Sequence, residues 1–66
     1  MEIIVNGQTR QVADQITVAA LLEELNLANR YVAVEVNLEL VPRQLHAQRQ
    51  LAPGDRLEIV TLVGGG

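Results

Sequence analysis

Gly64, Gly65 and Gly66 close the sequence, directly after the apolar stretch Val60-Thr61-Leu62-Val63. Glycine has no Cβ and the greatest backbone freedom of any residue, so three in succession after a strand add nothing to packing. Extended, they reach about 10–11 Å, and without side chains they fit a narrow channel in another protein. The group they deliver is the α-carboxylate of Gly66, which is ionised at neutral pH and therefore a poor electrophile. Transfer of AMP from ATP would turn one oxygen into a leaving group, after which sulfur, an amine or a thiol could attack the acyl carbon. The plain alternative is a frayed end with no role.

The body of the chain offers little other chemistry. It has no Cys, Ser or Lys, so disulfides, zinc knuckles, a side-chain persulfide and a serine triad are all excluded. His46 is the sole histidine and is expected in a polar surface turn. The eight carboxylates are spread over several elements, and none of their spacings implies a catalytic pair. No GxxxxGK[ST] or GxGxxG loop is present to cradle a phosphate. The chain is expected to bind no metal or cofactor and to catalyse nothing by itself. Its work must be done by partners.

Net charge is −3, the five Arg residues are scattered, and Tyr31 is the only aromatic residue. Nucleic-acid binding would need clustered cations or stacking platforms, which are missing. No apolar run approaches the ~18–20 residues that span a bilayer, so no membrane association is expected and the cytoplasm is the expected compartment. With 66 residues, 48% of them hydrophobic, the chain can bury one small core.

The elements that must present the tail follow from pattern. Glu2 to Asn6 alternates, with Ile3 and Val5 on one face and Ile4 on the other. Asn6-Gly7 signals a type I′ hairpin turn, and Gln8 to Val12 reads as a polar edge strand. Thr17 stands as an N-cap before Val18, Leu21, Leu22 and Leu25, one helical stripe opposed by Glu23 and Glu24. Tyr31 to Val36 is a strand, Asn37 begins a turn, and Leu40-Val41 forms a brief strand ended by Pro42. Arg43 to Gln48 could make one helical turn, Pro53-Gly54-Asp55 turns the chain again, and Arg56 to Val63 is the last strand.

Hairpin, helix, strand, irregular crossing and final strand together specify an α+β chain. The expected architecture is a β-grasp, or ubiquitin-like, fold. It is a mixed four- to five-stranded sheet with the first and last strands parallel in its centre. The helix should cover one face, over Ile3, Val5, Val32, Val34, Leu57 and Ile59. Residues 1–63 would form the domain and 64–66 a flexible tail. On the uncovered face, alternation points Ile4, Ala33, Val60 and Leu62 outward, a candidate docking patch beside the tail. A one-residue slip in register would remove it.

The series Val36-Asn37, Val41-Pro42-Arg43, Leu51, Gly54-Asp55-Arg56, Glu58-Ile59 and terminal glycines resembles the ThiS family of thiamine-pathway sulfur carriers over essentially the whole chain. The resemblance implies that Gly66 is adenylated by a ubiquitin-activating-type adenylyltransferase using ATP and Mg. It then becomes a thiocarboxylate, fed by a sulfur donor protein, and gives its sulfur to thiazole synthase. Gly65 would be the second residue of the diglycine, and Gly64 lengthens it by one. The molybdopterin-synthase small subunit is similar in fold and tail but usually longer, and a carrier for another sulfur product is a further alternative. A non-covalent β-grasp adaptor, acting through its sheet patch alone, would keep its activity without Gly65 and Gly66.

Overall fold

The computed structural model describes residues 1–62; Val63 and the tail expected at 64–66 lie outside the described residues. Strands β1 (Glu2–Val5) and β2 (Gln8–Gln11) form the first hairpin. Helix α1 (Val18–Glu24) follows, then β3 (Val32–Val36), β4 (Glu39–Leu40), a 3-10 turn at Arg43–Leu45 and β5 (Arg56–Thr61). The sheet order is β2-β1-β5-β3-β4, with β1 and β5 parallel and the other neighbours antiparallel. This is the expected β-grasp.

Local chemistry explains the elements. Asn6 and Gly7 have φ of 50° and 82°, the pair of left-handed conformations that a type I′ turn requires. Thr17 caps α1, its hydroxyl accepting the Ala20 amide at 3.1 Å. The two preceding helix donors are met from the crossing segment: Val18 N–H reaches Arg49 O and Ala19 N–H reaches His46 O, both at 2.9 Å. The three orphan amides of the first turn are thereby satisfied, which locks the crossing onto the helix.

One face of the sheet packs on α1. Ile3, Val18, Leu21, Val34, Val36 and Leu57 are fully buried, and Ile59 and Leu22 nearly so. Val5 and Val32, expected beneath the helix, are half-buried at its margin. The irregular segments contribute more than their sequence suggested: Val12 and Ile16 between β2 and α1, and Val41 and Leu51 in the crossing, also join the core.

Several boundaries shift. β4 is Glu39–Leu40 rather than Leu40-Val41, although Val41 N–H still bonds Val34 O before Pro42 ends the pairing. β3 starts at Val32, and the turn after Pro42 is 3-10 over three residues. His46 departs most from expectation. It is buried, with ring Nε2 3.0 Å from Val41 O, so it staples the crossing from within instead of lying in a surface turn. A polar neighbourhood in sequence concealed a polar group whose partner is a main-chain carbonyl.

Candidate functional site

The described chain stops at Leu62, just after the strand that must present the tail. β5 therefore defines the base of the candidate site. β3 flanks it along its length, from Val36↔Leu57 to Val32↔Thr61. Leu62 N–H then reaches Tyr31 O at 2.8 Å. On the other side β1 gives out early, with Ile4↔Arg56 and Val5↔Leu57 its only partners in β5.

The Asn6 side chain takes over where β1 ends. Its Oδ1 accepts Ile59 N–H at 2.8 Å and its Nδ2 donates to Ile59 O at 3.1 Å, while its own N–H meets Leu57 O at 2.9 Å. One carboxamide thus imitates a strand residue and carries the support two residues nearer the tail. At the start of β5, Asn37 acts similarly. Its N–H donates to Arg56 O, its Oδ1 accepts Arg56 N–H, and its Nδ2 donates to Asp55 Oδ1. Asp55 Oδ2 also accepts Ala52 N–H, which closes the Pro53-Gly54 turn. Sequence reading took Asn6 for a turn residue; nothing in Asn-Gly itself shows that the side chain reaches β5.

The open face of the sheet is set by the same alternation. With Leu57 and Ile59 inward, Arg56, Glu58 and Val60 face outward, beside Ala33 and Glu35 of β3 and Ile4 of β1. Ala33 lies directly opposite Val60, and Leu62 continues the row; Val60 and Leu62 are 55% and 53% exposed. Ile4 stands apart, level with Arg56, four residues back along β5 and so about 13 Å away. Of the four proposed patch residues, three cluster near the tail and the fourth lies at the other end. Leu40, opposite Glu35 and exposed, adds an aliphatic group that the sequence reading left out of the patch. Its signal was an apolar residue on a short edge strand just before proline.

Beside the tail's root, Tyr31 is exposed and the Arg43 guanidinium lies 5.4 Å from its ring centroid, a cation–π distance. Among the described residues no group of three or more His, Cys, Asp or Glu could hold a metal ion. Nor is any described helix long and apolar enough to cross a membrane.

The family model for ThiS matches residues 3–66, the terminal glycines included. The chain belongs to the ThiS family. It is 35% identical to the sulfur carrier protein ThiS of Escherichia coli over the full length of both. The crystal structure of the thiamine biosynthesis protein ThiS from Geobacter metallireducens superposes with a TM-score of 0.85 at 35% identity, covering both chains completely. A thiazole synthase of Paramagnetospirillum magneticum is 48% identical over all 66 residues, which make up 20% of that protein. The chain therefore spans about one fifth of that relative's length.

Proposed function

We propose that this chain carries sulfur for thiazole formation in thiamine biosynthesis, as a co-substrate rather than an enzyme. The observation that carries the reading is the match to ThiS running through Gly66, on a strand clamped from both sides. A Gly66 carboxylate oxygen attacks the α-phosphorus of ATP in an adenylyltransferase of the ubiquitin-activating type. Pyrophosphate leaves and an acyl-adenylate forms; Mg held by that enzyme would supply the charge that neutralises the phosphates. A persulfide of the donor protein then displaces AMP to give an acyl disulfide. A partner's thiolate attacks the donor's sulfur, so that the S–S bond breaks, a disulfide forms between the partners' cysteines and the thiocarboxylate is released. Thiazole synthase takes that sulfur. Because the sequence has no Cys, every thiol or persulfide in these steps must come from partners. The exchange is assigned to the cytoplasm, where ATP is available to the partner enzyme.

Residues 1–63 serve as the folded unit, and Gly64, Gly65 and Gly66 as the reach into each partner. The kinship with a thiazole synthase supports that enzyme as the recipient. Incubation with the adenylyltransferase, ATP and a sulfur donor should replace one oxygen of the protein by sulfur in the intact mass. Fragmentation should place the change on Gly66; sulfur found on any other residue defeats the assignment.

Docking is assigned to the open face, through Ala33, Val60 and Leu62 near the tail and Ile4 beyond them. Val60→Glu and Leu62→Glu should each weaken partner binding by about 10-fold, because a carboxylate would be buried without a partner. Both side chains are exposed in the free protein, so the melting temperature should stay nearly constant. Calorimetric titration against each enzyme checks this, and unchanged affinity would remove these residues from the interface.

A further inference from the structure

We propose that the groove beneath the β3–β4 turn, at the end of the open face far from the tail, receives a partner-protein segment in which an arginine or lysine lies beside an aliphatic side chain. The inference rests on the carrier reading above and adds a second contact with its own chemistry. The groove holds about 450 Å³ and is lined chiefly by Ile4, Glu35, Leu38, Arg56 and Glu58.

Leu38 is the first sign of a partner. It occupies the second position of the Asn37-Leu38 turn with φ of 71°, where the equivalent turn at Asn6-Gly7 has glycine with φ of 82°. A branched side chain in the left-handed region costs stability, and here the isobutyl group gains no packing, being 90% exposed. Glu35 and Glu58 are the second sign. They lie directly opposite each other on β3 and β5, a like-charge arrangement that weakens a sheet. Among the described residues Arg56 forms no ion pair with either of them.

Charge decides the occupant. A purely apolar partner would desolvate both carboxylates without compensation, and an anionic one would be repelled. A second copy of this chain would set four carboxylates, Glu35 and Glu58 of each copy, against only two Arg56 guanidinium groups. A cation between Glu35 and Glu58, with its aliphatic stem or neighbour against Ile4 and Leu38, satisfies both the charge and the exposed apolar surface.

The test compares Leu38→Gly and the double variant Glu35→Gln/Glu58→Gln with the parent chain, tail intact, for binding to the adenylyltransferase and to thiazole synthase. Leu38→Gly should raise the melting temperature by about 4 °C through relief of the turn. It should nevertheless weaken binding to at least one enzyme by about 10-fold. The double variant should also melt higher and bind about 10-fold more weakly at low salt, with the difference shrinking at high salt. Unchanged affinity of both variants for both enzymes overturns the groove. If the parent binds the enzymes and acquires sulfur while the variants bind equally well, only the groove falls. If the parent binds neither enzyme and acquires no sulfur, the carrier reading falls with it.

Discussion

Gly65→Val is expected to abolish thiocarboxylate formation on Gly66 while leaving the melting temperature unchanged. In the proposed reaction the last residues would thread a narrow channel in the activating enzyme, where a branched Cβ would add volume and restrict the backbone. The fold should not notice. The core found among the described residues is built from Ile3 to Ile59, and β5 pairs with β3 as far as Thr61, with Leu62 bonded to Tyr31. Intact-mass analysis after activation gives the first readout and a thermal melt the second. A loss of more than about 1 kcal/mol in stability would mean that residue 65 is part of the folded body. Normal sulfur loading would mean that side-chain bulk at the tail is tolerated, and the narrow-channel idea would fail.

The second large effect is expected at Asn6. Asn6→Gly keeps the left-handed turn, since glycine accepts φ near 50° freely, and removes only the carboxamide. Two hydrogen bonds to Ile59 disappear and its N–H and C=O lose their partners on that side. The expected cost is about 2 kcal/mol, or a fall of roughly 10 °C in melting temperature for a domain this small. Amide exchange at Ile59 should accelerate more than at Val34, which lies across the β3 ladder. A cost under about 0.5 kcal/mol, within the range of an ordinary surface change, would show that the carboxamide does not hold β5.

Much of the fold was legible because local and long-range signals agree. Asn6-Gly7, the Thr17 cap and the stripe Val18, Leu21 and Leu22 each specify their own geometry, and the structure realises all three. Strand alternation also gave the correct faces: Ile3, Val34, Leu57 and Ile59 inward, Val60 and Leu62 outward. What remained hidden depends on relations that no short window contains. The offset of β1 against β5 separates Ile4 from Val60 and Leu62, and that offset is fixed by how two distant strands pair. His46 and Leu51 lie in a Gln- and Arg-rich segment without clear periodicity, yet the crossing wraps onto the start of α1 and buries both. The Asn37-Leu38 turn lacked the glycine that marks its twin.

The parallel pairing of β1 with β5 has a consequence for how the protein is made. The sheet's centre joins the earliest strand to the latest, so β1 has no permanent neighbour on that side until residues 56–61 are available. Such long-range closure favours all-or-none folding over stepwise assembly. A nascent polypeptide or a proteolytic fragment lacking β5 would leave Ile3 and Val34 without the cover of Leu57 and Ile59. Biosynthesis thus meets an inbuilt checkpoint: only a molecule that includes residues 56–61 can close the sheet.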